Sequence, residues 1–405
     1  MIDMRPLKSL ISLEQAHEIL FNNLKICEET ERIPLLELSN RVSAEEIKAE
    51  FNVPPFRRAA MDGYAVKASS TFQATDSNPI YLECIEEIHA GDVPTKSIDE
   101  TQCMEIATGA MLPDSADCVV PVEYTNREKN KIEILKGFAP HSNVSQEGVD
   151  IHRGEIVIPQ EVVFTPARIG VLAALNRKDA LVYRKVKVAV IPTGREIAPL
   201  GSELKPGQVY DINTYTLTTL IAQHGGEPVV YDLVEDSFEA LESVILDAVT
   251  KTDIVVIGGG SSVGERDINV DIIEKHGTVL FHGIQIRPGK PTLCGKIQDI
   301  MILNLPGYPT SCLTNGYINL LPVLRKMSHL PPVTKRKIQV KLAKKIVSRL
   351  GRHQIFTVMV NDEYAFPAYK ESGAITSMAL ADGYIEIPDN CDLIDKNEIV
   401  EVTLF

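Results

Sequence analysis

The middle of the chain alternates short β-branched runs with longer segments of helical periodicity. Apolar runs at residues 186–191, 228–234 and 254–257 predict strands, and residues 214–224 and 238–249 have apolar positions at helical spacing. Buried strands that alternate with helices predict a parallel sheet with helices on both faces. Ligands bind such sheets at the carboxyl ends of the strands, so we expect the functional site at that edge.

The flanking regions have other patterns. Ser12 and Gln15 have the spacing of a capping box, which predicts a helix near the start of the chain. Residues 71–130 contain short strands separated by turns and predict a β-rich insertion. After Pro331-Pro332 the pattern returns to strands, which predicts a small β-barrel or sandwich in residues 331–405. The expected fold class is therefore multidomain α/β.

A glycine-rich stretch follows the strand predicted at residues 254–257. It contains, in order, Gly258, Gly259, Gly260, Ser261, Ser262 and Gly264. Glycines leave backbone N–H groups unshielded, and such groups can bind an anionic oxygen. Asp267 then supplies a carboxylate that can hold Mg²⁺ against a phosphate. Taken alone, the stretch is equally consistent with a plain turn between a strand and a helix.

Further charged residues follow the other predicted strands of the sheet. Glu196 follows the first strand, and Glu235 and Asp236 follow the second, so these carboxylates are expected along one edge with the glycine-rich stretch. Together they can share a cation, although each alone is more typical of a helix cap. Arg287 and Lys290 flank a Pro-Gly turn and can face one small anion, with a solvated loop as the alternative.

Composition narrows the class of protein. A chain of 405 residues predicts about two to four domains. Its formal net charge of −14 argues against a nucleic-acid partner, which requires clustered cations. Its seven scattered cysteines lack C-x-x-C spacing and predict reduced thiols in the cytoplasm. There is no charged-then-apolar leader and no run of about 18 apolar residues, so we expect neither export nor a membrane.

Several motifs occur in a fixed order along nearly the whole chain. They are Ala60-Met61-Asp62-Gly63-Tyr64, Thr108-Gly109-Ala110, Pro192-Thr193-Gly194 with Glu196, Ser262-Val263-Gly264-Glu265 with Asp267, Arg287-Pro288-Gly289-Lys290-Pro291 and Leu305-Pro306-Gly307-Tyr308-Pro309. In this order they resemble the molybdopterin molybdenumtransferases, a family that includes the MoeA proteins and the gephyrin E domain. The match continues through Gly351-Arg352 and Ser372-Gly373 to Ser377.

The resemblance implies a domain organisation and a reaction. The implied domains are a split helical domain (residues 1–50 and 141–180), a β-rich domain (51–140), a three-layer α/β molybdopterin-binding domain (181–330) and a C-terminal β-barrel (331–405). The implied protein is an elongated homodimer in which adenylylated molybdopterin and molybdate react in the presence of Mg²⁺ to give molybdenum cofactor and AMP. Other proteins of molybdenum cofactor biosynthesis are candidate partners.

The resemblance also assigns roles to individual residues. The implied catalytic residues are Asp62, Thr108, Glu196, Asp267, Pro306 and Pro309. The implied substrate-binding residues are Gly258, Gly259, Gly260, Ser261, Ser262, Gly264, Arg287, Lys290, Pro291, Arg352 and Ser377. Asp267, with Glu235 or Asp236, is expected to hold Mg²⁺ against the substrate's diphosphate. Arg287 and Lys290 are expected to hold the molybdate dianion, with further contacts from Arg352 and Ser377.

This chain departs from the family pattern in four places. Arg57-Arg58-Ala59 replaces the usual Asp-Asn-Ser, Thr193-Gly194-Arg195-Glu196 replaces Thr-Gly-Asp-Glu, Gly258-Gly259-Gly260-Ser261-Ser262 replaces Ser-Gly-Gly-Val-Ser, and Glu235-Asp236 replaces Asp-Asp. These changes leave two alternatives open, an insertase that prefers tungstate and a non-catalytic molybdopterin-binding or scaffold paralogue. A nucleotide-phosphate hydrolase of another class is a third hypothesis, and the lack of the usual Gly-Lys-Ser/Thr motif argues against it.

Overall fold

The computed structural model describes residues 10–259 and 268–405. The described chain forms two compact units. The first, here called the α/β unit, contains residues up to 31, residues 40–42 and residues 182–405. The second, here called the β-rich unit, contains residues 32–39 and 43–181.

The first part of the chain contains two helices among many short strands. In order these are α1 (Leu13–Asn23), β1 (Thr30–Pro34), β2 (Ile47–Lys48), β3 (Arg58–Ala59), β4 (Gly63–Val66), β5 (Ile80–Ile88), β6 (Gln102–Ile106), β7 (Cys118–Pro121), β8 (Thr125–Glu128), β9 (Lys131–Ile134), β10 (Val144–Ser145), β11 (Ile156–Ile158), α2 (Pro166–Ala174) and β12 (Asp179–Tyr183). The capping box predicted for α1 is confirmed, because Ser12 Oγ accepts from the Gln15 amide while Gln15 Oε1 accepts from the Ser12 amide.

The middle of the chain alternates strands and helices as predicted. It contains β13 (Val186–Pro192), β14 (Ile197–Ala198), β15 (Val209–Tyr210), α3 (Asn213–Gln223), β16 (Gly226–Val230), α4 (Phe238–Lys251), β17 (Ile254–Gly258), α5 (Ile268–His276), β18 (Gly277–His282), β19 (Ile286–Arg287), β20 (Leu293–Ile297), β21 (Ile300–Leu305), α6 (Pro309–Asn315) and α7 (Leu321–Met327). The strand predicted at residues 228–234 ends early, at Val230, and the chain regains the sheet at Val234, whose amide bonds the Pro192 carbonyl at 2.9 Å.

The last part of the chain is mainly strands. It contains β22 (Lys337–Leu342), β23 (Ile346–Val347), β24 (His353–Asn361), β25 (Tyr364–Pro367), α8 (Thr376–Ala379), β26 (Gly383–Ile387), β27 (Leu393–Ile394) and β28 (Ile399–Leu404). The strands β24, β25, β22, β28 and β26 form a closed ring, because β26 also pairs with β24. A β-barrel, rather than a sandwich, is therefore the observed architecture.

The main sheet of the α/β unit has the order β16-β13-β17-β21-β20-β18. Its first four strands are parallel, which confirms the parallel sheet predicted from the strands at residues 186–191, 228–234 and 254–257, whereas β20 runs antiparallel to both of its neighbours, β21 and β18. The reason is a hairpin in which only Gln298 and Asp299 separate β20 from β21, with Gln298 at a φ of 53°. Apolar clusters on both faces of the sheet give the three layers expected.

The β-rich unit has a six-stranded sheet of order β7-β4-β6-β5-β9-β8. All its strand pairs are antiparallel except β5 with β6, which are parallel. Buried side chains cover both faces of this sheet, with Met104 and Ile106 on one face and Cys103 and Leu82 on the other. None of the helices in the described part of the chain is long and apolar enough to cross a membrane.

Candidate functional site

Three strands of the α/β unit end side by side at the carboxyl edge of the main sheet. Pro192 at the end of β13 pairs with Gly258 at the end of β17, and Gly258 pairs with Leu305 at the end of β21. The segments that follow these strands are the motifs beginning at Thr193, Gly259 and Pro306. Register in the sheet therefore brings together three motifs that are far apart in sequence, as the edge rule for such sheets predicts.

The backbones at this edge approach one another closely. A Cβ on Gly259, which has a φ of 138°, would lie 2.3 Å from the Thr193 carbonyl oxygen. A Cβ on Gly307 would lie 3.7 Å from the Gly259 Cα, and the Gly307 carbonyl accepts a 2.8 Å hydrogen bond from Asn213 Nδ2. Gly259 is thus required by both its backbone conformation and the available space, since any side chain there would displace the Thr193 segment.

Several buried polar atoms near this edge have no hydrogen-bond partner within residues 10–259 and 268–405. They are Thr193 Oγ1, Asn213 Oδ1 and both amide atoms of Asn304. Asn304 is 0% exposed and Thr193 is 1% exposed. An unsatisfied buried polar group costs about 1–3 kcal/mol, so such atoms usually have a bound ligand or water as partner. The edge therefore has unused hydrogen-bonding capacity for a polar ligand.

Acidic residues gather on the β16 side of the same edge. Thr193 forms a parallel bridge with Val234, so the segments carrying Glu196 and Glu235 run side by side. Arg195 Nη2 donates to the Asp236 carbonyl at 3.4 Å. Glu196 and Glu235 are exposed, and neither forms an ion pair with any residue that the structure describes. The structure thus places the segments that carry Glu196, Glu235 and Asp236 beside each other at this edge.

The fourth carboxylate, Asp267, lies outside the described residues, as do Gly260, Ser261, Ser262 and Gly264. Within the described ranges, no group of three or more His, Cys, Asp or Glu side chains is close enough to hold a metal ion. The roles expected of these five residues therefore stay predictions.

Three cationic side chains lie where the α/β domain meets the C-terminal barrel within the α/β unit. Strand β19 pairs in parallel with β24, with Arg287 opposite Gln354, and Arg352 directly precedes β24. Lys290 follows on the Pro-Gly turn, and its carbonyl accepts from the Ile284 amide at 2.9 Å. Arg287, Lys290 and Arg352 are half-buried and have no carboxylate partner among the described residues. Half-buried cations attract anions, so these three side chains stay candidates for the predicted anion site.

Asp62 and Thr108 meet in the β-rich unit, rather than in the α/β unit that carries the other candidate residues. The Thr108 amide and the Thr108 hydroxyl each donate to Asp62 Oδ1 at 2.7 Å. These two bonds, the backbone one first, lower the pKa of the Asp62 carboxyl below its usual value. Nearby, Arg57 donates to the Ala116 carbonyl at 3.2 Å, whereas the Arg58 side chain is exposed.

Models of protein families match three consecutive parts of the chain. The models described as MoeA N-terminal region (domain I and II), "Probable molybdopterin binding domain" and MoeA C-terminal region (domain IV) match residues 11–176, 189–326 and 339–405. A molybdopterin molybdenumtransferase of Haemophilus influenzae is 33% identical over 78% of each chain. A protein of Methanocaldococcus jannaschii, whose name provisionally assigns it to molybdopterin biosynthesis, is 34% identical over 99% of this chain and 100% of that one.

The chain belongs to the MoeA family of molybdopterin molybdenumtransferases. The fold agrees, since a crystal structure of a MoeA protein from Pyrococcus horikoshii has a TM-score of 0.85 and 39% identity, covering 98% of this chain and 99% of that one.

A buried polar network holds the MoeA motif of Arg287 and Lys290 in place, and the sequence analysis missed it. Gly289 has a φ of 110°, and a Cβ there would lie 1.8 Å from Asn315 Nδ2. Thr292 Oγ1 lies 2.8 Å from both the Gly289 carbonyl and Asn315 Oδ1. Asn315 is fully buried in α6, which follows the Pro306 motif, so one side chain fixes two motifs relative to each other. No sequence spacing signals this contact.

A second contact joins the Pro306 motif to the barrel. Thr310 donates from its amide to the Ser372 carbonyl at 3.0 Å and from its hydroxyl to the Ala374 carbonyl at 2.8 Å. Ser377, expected to contact molybdate, is 0% exposed, and its hydroxyl accepts from the Lys370 amide at 2.9 Å. In this structure Ser377 therefore anchors the 372–378 segment.

Three prolines of these MoeA motifs, Pro291, Pro306 and Pro309, differ in exposure. Pro306 is buried at the end of β21, and Pro309 is half-buried at the first position of α6. Pro291 is half-buried directly after Lys290. A fixed proline φ at each of these positions holds the adjoining backbone without loss of entropy on binding.

Proposed function

We propose that this protein inserts molybdenum from molybdate into adenylylated molybdopterin, with Mg²⁺-dependent release of AMP, during molybdenum cofactor biosynthesis. The proposal rests on three half-buried cations, Arg287 in β19, Lys290 on the turn that follows and Arg352 directly before the paired strand β24, none of which has a carboxylate partner among the described residues. The names of the relatives support the reaction class, since several are molybdopterin molybdenumtransferases.

The cations have a direct role toward the metal oxyanion. Molybdate is a small dianion, and a charge-assisted hydrogen bond to such an anion is about twice as strong as a neutral one. Because the side chains of Arg287, Lys290 and Arg352 are half-buried and have no counterion among the residues described, the anion displaces none of the carboxylates that the structure describes. They hold the oxyanion until the dithiolene sulfurs of the pterin replace its oxygens.

The strand ends have a role toward the pterin adenylate. Backbone N–H groups at the Gly258-Gly259 turn are expected to bind the diphosphate. Thr193 Oγ1 and the side-chain amide of Asn304, which have no hydrogen-bond partner among the described residues, can form hydrogen bonds with this substrate. Holding the dithiolene beside a bound oxyanion turns a ligand exchange between two solutes into a local reaction, which is the largest rate contribution expected here.

We expect the acidic side of the edge to hold a magnesium ion. Mg²⁺ needs only one or two carboxylates in addition to substrate phosphates, and Glu196 and Glu235 present exposed carboxylates with no ion pair among the described residues. We expect Glu235 or Asp236, together with Asp267, to hold the ion, with Glu196 beside them. When bound, Mg²⁺ neutralises charge on the diphosphate as its bond to AMP breaks.

We also propose that the protein acts as a cytoplasmic homodimer, alone or with other cofactor-biosynthesis proteins. The dimer is implied by the family resemblance, and the seven cysteines are all free thiols, which fits a reducing compartment. Size-exclusion chromatography with light scattering tests the dimer, and a monomeric mass at micromolar concentration contradicts it.

The reaction is tested by supplying the purified protein with adenylylated molybdopterin, molybdate and Mg²⁺. We expect release of AMP and a product that reconstitutes a molybdenum enzyme lacking its cofactor. Tungstate in a parallel reaction shows which oxyanion is preferred. If AMP is released with neither oxyanion while the protein still binds the pterin, the protein is a binding or scaffold paralogue and the proposal is wrong.

The proposed magnesium site has its own test. Asp267→Ala is expected to abolish Mg²⁺-dependent AMP release while the free energy of unfolding stays within about 0.5 kcal/mol of the wild-type value. Asp271→Ala, an acidic residue on α5 four positions later, is the control and keeps full activity. Wild-type activity in the Asp267 variant contradicts the magnesium role.

A further inference from the structure

Two thiols lie opposite each other in the sheet of the β-rich unit. Cys84 in β5 is the register partner of Cys103 in β6, and the two strands run parallel. Both side chains lie on the same face, since Cys103 is part of one apolar cluster and Cys84 packs against it. Neither thiol is in a disulfide. The sequence gives no sign of this pair because 18 residues separate its members.

The spacing of the pair suits a disulfide bond. Neighbouring strands lie about 4.8 Å apart, and the Cα atoms of disulfide-bonded cysteines lie about 4.4–6.8 Å apart. Residues that are direct register partners on one face therefore need no large backbone movement to become linked. A bulge between Cys84 and Glu86 gives β5 local freedom to adjust beside the pair.

The two thiols differ in access and reactivity. Cys84 is half-buried, whereas Cys103 is 0% exposed. Hydrogen bonding from the Cys103 thiol, with help from the nearby Arg127 guanidinium, lowers the pKa of Cys84 to about 6. The same pairing and burial raise the pKa of Cys103. Cys84 is thus the more accessible and the more acidic of the two thiols, and Cys103 is a protected second thiol beside it.

We propose that Cys84 and Cys103 form a redox modification site that a small-molecule disulfide converts into an intramolecular disulfide. In the first step the Cys84 thiolate attacks one sulfur of the external disulfide, whose sulfur–sulfur bond breaks and releases one thiolate. In the second step the Cys103 thiol gives its proton to solvent or to the released thiolate and attacks the Cys84 sulfur, which expels the second external thiol. Two cysteine thiols are oxidised and one external disulfide is reduced to two thiols.

The link would join β5 to the strand that leads into Thr108. Strand β6 ends at Ile106, two residues before Thr108, whose hydrogen bonds hold Asp62. The site stands on the sheet register alone and does not depend on the proposed reaction.

The test uses the full chain, reduced, freed of reductant and then treated with oxidised glutathione at neutral pH. Digestion under acidic conditions and mass spectrometry are expected to give a Cys84–Cys103 linked peptide, with two of the seven thiols lost. A reductant is expected to restore both thiols. The proposal is wrong if the folded protein carries only glutathione adducts. It is also wrong if the protein loses no thiol although the same oxidised glutathione reacts with a free thiol in solution.

Three variants separate the steps. Cys103→Ser is expected to keep glutathione on Cys84, because no second thiol can displace it, whereas Cys84→Ser is expected to keep Cys103 unmodified. Cys391→Ser is the matched control, since Cys391 is also half-buried but has no thiol register partner, and it is expected to behave like wild type. Cys84 should react about tenfold faster than Cys391. Equal rates, or an internal link that persists in Cys103→Ser, overturn the assignment.

Discussion

Two regions that carry family motifs differ in whether their charged side chains have partners within the described chain. In the β-rich unit, Asp62 accepts two hydrogen bonds from Thr108, so its charge is compensated within the folded chain. In the α/β unit, Arg287, Lys290 and Arg352 are half-buried and have no such compensation among the described residues. A compensated charge needs no ligand to be stable, whereas an uncompensated half-buried charge gains free energy when a counterion binds.

The same contrast holds for neutral groups. Asn315 is buried, and both its amide atoms have hydrogen-bond partners that tie two motifs together. Asn304 is equally buried, yet neither of its amide atoms has a partner in the described chain. The first asparagine builds the scaffold, and the second stores unused hydrogen-bonding capacity beside the strand ends. Substitutions at satisfied and at unsatisfied groups test this distinction.

The largest loss of stability is expected at Gly289, where the backbone packs directly against the Asn315 side chain. Gly289→Ala would place a Cβ 1.8 Å from Asn315 Nδ2 at a φ of 110°, so we expect a loss of about 3 kcal/mol or more in stability. Gly207→Ala is the control, because its φ is 85° but nothing lies within 4 Å, and strain alone costs about 1 kcal/mol. Chemical denaturation measures both. Equal losses would mean that the Asn315 contact does not fix the loop.

The next effect concerns the uncompensated cations. Arg287→Ala and Lys290→Ala are each expected to weaken molybdate binding about 10- to 100-fold, which is the loss of one charge-assisted hydrogen bond. Their stability should change by less than about 0.5 kcal/mol, because neither side chain has a partner to lose among the described residues. Calorimetric titration with molybdate measures the affinity.

A surface lysine supplies the control for these cations. Lys337→Ala removes a cation that pairs with Glu401 at 2.6 Å on the exposed face of the barrel, and it should leave molybdate affinity unchanged. Equal weakening in all three variants would indicate a general charge effect rather than a site.

Replacing Asn304 should raise the stability of the protein and weaken its binding of substrate. Asn304→Leu replaces a buried amide that has no partner in the described chain by an apolar side chain of similar size, so the free energy of unfolding should rise by about 1–3 kcal/mol. The same variant should bind adenylylated molybdopterin more weakly. Asn315→Leu, which removes satisfied bonds, should instead destabilise the protein. An Asn304 variant that is destabilised would contradict the assignment of free capacity.

The smallest effect is a pH dependence at Asp62. Its folded pKa lies below the unfolded value of about 4, so its hydrogen bonds stabilise the fold above that value. This contribution is lost as the pH falls through the lower folded pKa. The stability difference between wild type and Asp62→Asn should therefore shrink on acidification. A stability difference that stays constant from pH 7 down to a pH below the folded pKa of Asp62 would contradict this prediction.

A matched carboxylate separates the structural part of this effect from the functional part. Asp99 also accepts from the amide and hydroxyl of a threonine, Thr101, both at 2.7 Å, and its pKa is lowered in the same way. Asp99→Asn should show the same pH dependence of stability. Only Asp62→Asn should reduce AMP release, and equal activities would remove Asp62 from the catalytic residues.

Local patterns predicted the elements, but not the contacts that join them. The helix after Ser12 and the strand at residues 186–191 followed from capping and β-branched runs. The β20–β21 hairpin was missed because its turn, Gln298-Asp299, lacks the usual glycine. The order of the strands predicted that the segments carrying Glu196 and Glu235 lie at the same edge of the sheet. The Asn315 network and the burial of Ser377 could not be predicted, because they depend on side chains that meet only in the folded chain.

The location of the oxyanion tests the central claim most directly. Tungstate matches molybdate in charge and shape, and its metal can be located by anomalous X-ray scattering in crystals of the full chain soaked with it. We expect tungsten within about 4 Å of the side-chain nitrogens of at least two of Arg287, Lys290 and Arg352, and its loss from crystals of Arg287→Ala. Tungsten bound only elsewhere, or absent from this place at saturating tungstate, would contradict the proposed site.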